Sequence, residues 1–158
     1  TRAQMEMKAY CRRTARAYTP RYTLAEFERE SGNFAEQARY LVECNRIDPF
    51  HRELHVRLGT AYEALGKKAQ AALEFEVAAA VTPAMDRRYL ERGQQRPEPQ
   101  APAELQERGE LWLRAARIRH AVGDLDQARS LLERVQREAP GTAAAADAGA
   151  LQQEWQGR

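Results

Sequence analysis

Between Arg52 and Pro83, the large side chains Leu58, Tyr62 and Phe75 alternate with the small Gly59, Ala71 and Ala78 among charged and polar residues. Apolar positions spaced this way, and bounded by breakers, predict amphipathic helices. The breakers are themselves regular. Gly32 precedes Pro49 by 17 positions, as Gly66 precedes Pro83 and Gly123 precedes Pro140. Glycine reaches positive φ after a helix C-terminus and stops the helix there. Proline cannot continue a helix from within but suits the gap between two. Each cassette is therefore one helix of fixed length, closed by Asp48-Pro49, Thr82-Pro83 or Ala139-Pro140. The first two cassettes lie 34 residues apart, the period of a helix–turn–helix repeat. The third is displaced by 57, one period plus an insertion of 23.

The clearest copy of the repeat is RELHVRLGTAYEALGKKAQAALEFEVAAAVTP, from Arg52 to Pro83. It resembles the tetratricopeptide repeat at Leu58, Gly59, Tyr62, Gly66, Ala71, Phe75, Ala78 and Pro83. His55 stands where that family usually has Trp. The copy before it, Tyr18 to Pro49, matches in its second half through Gly32, Phe34, Leu41, Cys44 and Pro49. Its first half is degenerate, with Leu24, Ala25 and Glu28 at the motif positions. A third copy, Gly109 to Pro140, offers Trp112, Ala115, Ala116, Gly123, Leu125, Ala128, Leu132, Val135 and Pro140, with Arg119 in place of the Tyr.

The resemblance implies an all-α fold, a right-handed superhelical array of antiparallel helix pairs. About three repeats are expected, with flanking helices. Gly59, Ala71 and Ala78 are small where paired helices would cross, and Leu58, Tyr62 and Phe75 are large enough to fill the space between them. The expected division of the single domain, 1–158, is a partial repeat helix (1–17), repeats over 18–51 and 52–85, an insertion (86–104), a third repeat (105–141) and a C-terminal capping helix (142–158). Thr142 suits an N-cap. Within the insertion, 84–92 is expected to be a short helix. Pro97, Pro99 and Pro102 then forbid regular helix and favour an extended loop. That loop is either a plain surface connection or a hinge that touches a partner.

Charge narrows the function. The 25 Lys and Arg nearly cancel the 23 Asp and Glu, leaving a formal net charge of +2. A dedicated nucleic-acid binder carries a stronger basic surplus, so no nucleic-acid partner is expected. The Arg12, Arg13, Arg16 cluster is the one feature that points the other way. The bias to Arg over Lys, with abundant Ala, fits a GC-rich genome better than a function. Cys11 and Cys44 are too few for a disulfide scaffold and read as small buried hydrophobes. No apolar run approaches the ~20 residues that span a bilayer, and no signal-peptide pattern opens the chain. A cytoplasmic protein is expected; because the chain opens with Thr1, export from a longer precursor is the alternative.

Catalytic constellations are absent: there is no HExxH, Gly-rich phosphate loop, CxxC or GxSxG. His51 and His55 are spaced for a shared metal, but His55 occupies an interior motif position and His51 the inter-repeat turn. Neither a metal nor a cofactor is expected. His120 sits near a helix end, where a cation suits the dipole. Glu26, Glu28 and Glu30 point away from one another on a helix and read as a solvated face.

Binding is what such an architecture supplies, because stacked repeats line a concave groove. By the family's register the groove positions are Tyr22, Glu26 and Arg29; then Glu53, Val56, Thr60 and Glu63; then Leu113, Arg117 and His120, with Arg114 beside them. The resemblance's carboxylate-clamp members carry Lys and Asn at matched sites, where this chain has Val56, Thr60, Leu113 and Arg117. A tail clamp of that kind is not expected. The late part of the groove, basic and apolar, suits a partner segment with an acidic residue beside an apolar anchor. The expected role is a protein-interaction module, adaptor or scaffold for a protein or peptide. The alternatives are a non-catalytic region of a larger enzyme, and self-association through Trp155 and the last helix. Monomer and homodimer both stay open.

Overall fold

The computed structural model describes residues 1–90 and 94–157. Among these it contains eight α-helices, one 3-10 turn and no strand. The helices are α1 (Arg2–Arg13), α2 (Tyr18–Glu30), α3 (Phe34–Ile47), α4 (Arg52–Ala64), α5 (Lys68–Ala80), α6 (Pro102–Ala121), α7 (Leu125–Glu138) and α8 (Ala143–Gln156). The glycine stops work by one device used three times. Gly32, Gly66 and Gly123 have φ of 71, 72 and 86°. The residue after each donates its N–H back to the carbonyl five before it: Asn33 to Glu28, Lys67 to Tyr62, Asp124 to Arg119. The glycine itself bonds three residues back, to Arg29, Glu63 and His120. This is the Schellman arrangement, which satisfies the helix's last carbonyls and turns the chain sharply.

Each helix packs on the next in the chain, from α1 through α8, and α8 also touches α6. The pairs α2–α3, α4–α5 and α6–α7 are the repeats. Gly59 lets α4 and α5 close: a Cβ there would lie 2.9 Å from the Phe75 ring. Gly109 does the same between α6 and α8, where a Cβ would come within 2.8 Å of Ala144. The core is in two clusters. One gathers Leu24, Leu41, Cys44, Leu54 and Leu58; the other gathers Phe75, Trp112, Leu132 and Val135. Tyr62 packs against both and joins them. Cys11 and Cys44 are buried and unpaired, and burial pushes the Cys44 thiol up to about 12.

The insertion does not interrupt the stack, because α5 packs directly on α6. Of its expected helix over 84–92, the described residues form a 3-10 turn, Arg87–Tyr89. Positions 91–93 and 158 lie outside the described residues. They take in the end of that expected helix, the start of the proline-rich stretch and the last residue of the expected cap. Pro102 is the first residue of α6, where its missing N–H costs nothing. Arg52 at the start of α4 is fully buried and pairs with Glu104 near the start of α6. It also reaches Glu107 at 3.1 Å and the Val81 carbonyl. Arg87 bonds Asp48 at 2.9 Å and donates its backbone N–H to the Phe50 carbonyl. These contacts dock the insertion onto the α3–α4 junction. At the far end, the Thr142 hydroxyl caps α8 by accepting from the Ala145 N–H.

Candidate partner-binding groove

The first helices of the repeats, α2, α4 and α6, lie side by side. Glu26 of α2 pairs with Arg57 of α4, and Glu63 of α4 pairs with Arg114 of α6. These ion pairs cross from repeat to repeat, so the three helices present one continuous face.

Most of the expected groove positions fall on it. Glu26 also accepts from exposed Arg29 at 3.3 Å. Glu53 accepts from Arg57 at 2.9 Å. Thr60 is exposed and donates to the Val56 carbonyl, while Val56 is partly buried against the core. Arg114 lays its guanidinium over the Phe75 ring, 4.1 Å from the centroid. Arg117 is exposed.

Leu113 does not belong to the surface. It is 2% exposed and part of the core. The reason is that α6 is flanked by α5, α7 and α8, so its buried arc is wider than that of a helix with two neighbours. His120 is also committed, stacked on the Trp155 ring of α8 at 4.0 Å and 12°. His120 lies in the last turn of α6, as expected, and the stack is a packing contact added to that position.

One end of the face carries an aromatic cleft of about 330 Å³, lined by Tyr18, Tyr22, His51, Arg87 and Arg88, with Thr19 and Gln94. Tyr18 and Tyr22 stack at 6.0 Å and 13°, and the His51 ring lies 5.3 Å from Tyr22. The Tyr18 hydroxyl and His51 Nδ1 share a 2.5 Å hydrogen bond. Arg87 sits 3.8 Å over the Tyr18 ring and Arg57 5.4 Å over Tyr22. Burial pushes both tyrosine hydroxyls above their ordinary value and pushes the His51 imidazole down. Burial is the largest cause for His51, and the carboxylates Asp86, Glu53 and Asp48 oppose it.

His55 is turned elsewhere. Its ring is buried, with Nδ1 at 2.7 Å from Glu74 and Nε2 at 2.7 Å from the Pro49 carbonyl. No group of three or more His, Cys, Asp or Glu that could hold a metal occurs among the described residues. Arg119, at the repeat's Tyr position, pairs with Glu76 on α5 at 2.9 Å and with Asp124 at 3.3 Å.

Sequence reasoning missed Arg57, which ties two repeats together, and the arginines of the insertion. Arg57 sits four residues after Glu53, a spacing that signals an intrahelical pair. Its second partner, Glu26, depends on how the repeats stack. Arg87 and Arg88 reach the cleft only through the docking of the insertion.

This architecture, antiparallel helix pairs in a stacked array, is that of a TPR-like helical-repeat fold. No family model matches the chain, and no curated protein does. Solved structures do match. The one titled "Crystal structure of MamA" superposes with a TM-score of 0.62 at 15% identity, covering 98% of this chain and 77% of that one. At that identity the likeness establishes the fold. No helix among the described residues is long and apolar enough to cross a membrane.

Proposed function

We propose that the chain is a protein-interaction scaffold whose α2–α4–α6 face holds an extended segment of a partner protein. The observation that carries this reading is the lacing of the three helices by Glu26–Arg57 and Glu63–Arg114. It makes one preorganised surface, and preorganisation lowers the entropic cost of binding. The aromatic cleft at one end, rimmed by Arg87 and Arg88, suits an anchor side chain with an apolar body and a neighbouring carboxylate. From the sequence, the acidic-plus-apolar partner segment is expected at the late part of the groove, around Leu113 and Arg117; in this proposal it moves to the cleft. Its apolar anchor is placed at Tyr18 and Tyr22, because Leu113 is buried.

The test is affinity capture from source-cell lysate with three baits: wild type, Thr60→Glu/Arg117→Glu on the groove, and Leu73→Glu/Val77→Glu on the exposed face of α5. A partner held by wild type and the α5 variant, and lost by the groove variant, supports groove binding. A partner lost only by the α5 variant overturns it. Recovery of nothing by any bait favours the alternative, a region that acts within a larger protein.

A further inference from the structure

A second charged feature lies away from the groove. Two adjoining clefts, of about 700 and 670 Å³, open where α1 and the α1–α2 connection face α3. They share Ala15, Arg21 and Glu43. Their walls carry Arg12 and Arg13 from α1, Arg16 from the connection, and Arg39 and Arg46 from α3. The whole chain is only +2, so most of its cationic groups are balanced by carboxylates elsewhere.

The arginines divide into two sets. Arg21 is buried and structural: it donates to the carbonyls of Cys11, Thr14 and Ala17, which fastens the end of α1 to α2. It also bonds Glu43 at 2.8 Å. Arg39 reaches the other Glu43 oxygen at 2.7 Å and Glu36 at 2.8 Å. The other set, Arg12, Arg13, Arg16 and Arg46, is exposed and makes no ion pair among the described residues. Arg13 donates a hydrogen bond to the Ala9 carbonyl.

Glu43 shows how arginines of this cleft engage a carboxylate. Its carboxylate, between the two clefts, is clamped by guanidiniums from two different helices, α2 and α3. Guanidinium matches carboxylate geometry and keeps its charge. The hydrogen bond from Arg39 also holds the Glu36 carboxyl below its ordinary value. A polyphosphate strand suits the cleft less well. Glu36 and Glu43 stand inside it, each already paired with an arginine.

We propose that this arginine cleft is a second docking surface, which takes an Asp/Glu-rich segment of a partner protein through Arg12, Arg13, Arg16 and Arg46. With the groove it would make the chain a two-site connector. The proposal does not depend on the groove being a binding face.

The test is fluorescence anisotropy with a short fluorescein-labelled peptide of alternating Glu and Gly, with the Gln–Gly peptide as control. Wild type is expected to bind the Glu peptide, not the Gln peptide, with affinity that falls steeply as salt is raised. Arg12→Glu/Arg16→Glu is expected to weaken binding about tenfold or more. Arg46→Glu, on the opposite wall, should weaken it in the same direction. All three arginines are exposed, and circular dichroism verifies the fold of each variant. Leu73→Glu/Val77→Glu, on the exposed face of α5, should bind as wild type does. Equal affinity in wild type and the Arg12/Arg16 variant would overturn the proposal, as would loss of binding in the α5 variant alone. Tighter binding of a single-stranded oligodeoxynucleotide than of the peptide, lost in the same Arg12/Arg16 variant, would also overturn it and assign the cleft to nucleic acid.

Discussion

His51 occupies a position where a small change of protonation matters. Its ring lies beside Tyr22, bonds the Tyr18 hydroxyl and faces Arg87. Burial lowers its pKa first; Asp86, Glu53 and Asp48 pull it up, and Arg87 pushes it further down. An unfolded chain protonates this group near pH ~6.5, while the folded chain resists. Above that pH both states are neutral and the burial costs nothing. As pH falls from about 6.5 through the lower folded value, the unfolded state gains protons first and stability is lost. The melting temperature of the wild type should therefore drop between neutral and mildly acidic pH, and His51→Gln should flatten that drop. An equally steep drop in the variant would show that another group controls it.

At the scale of elements, the central question is how a stack survives an insertion of 23 residues. Arg52 and Glu104 are both buried and face each other across α4 and α6. Removing one partner of such a pair strands a buried charge, at roughly 3–5 kcal/mol. Glu104→Ala is expected near the lower end of that range, because Glu107 also reaches Arg52. Arg52→Met/Glu104→Leu should recover much of the loss, since an apolar pair needs no desolvated charge. Denaturant midpoints measure both variants. A cost under about 1 kcal/mol for Glu104→Ala would mean that apolar contact between α5 and α6 docks the helices without help. Nothing in the sequence singles out this pair, because Arg52 and Glu104 are 52 positions apart and neither belongs to the repeat motif. The helices themselves were legible because their signals are local: Gly32, Gly66 and Gly123 each close a Schellman turn within six residues. The crossing of α4 and α5 was legible too, since Gly59 and Phe75 belong to one motif. The proposed groove depends on more than register. Register places Glu26, Glu53 and Glu63, but Leu113 was misplaced because burial around α6 depends on a third neighbour, α8, which the register does not describe.

For the whole molecule, a stacked array has neighbours on both sides in its middle and on one side at its ends. Stability then follows position, as intrinsic helix terms plus nearest-neighbour contacts. Helix α1 packs on α2 and buries only Cys11 within its own span. Helices α4, α5 and α6 are each packed on both faces and hold the junction of the two core clusters at Tyr62. Amide exchange should reflect this difference, because protection tracks the free energy of local opening. Residues of α1 should exchange first, α8 should be intermediate through its contacts with both α6 and α7, and α4–α6 should exchange last. The same experiment bears on assembly. Trp155 is stacked on His120 and stays partly exposed, so a second copy could still meet α8 there. An α1 as protected as α4 in the isolated protein would mean that its end of the stack is covered by another copy of the chain. A mass measured in solution at the same concentration would then read as a dimer. Fast exchange in α1 with a monomer mass would leave the arginine cleft open to a partner.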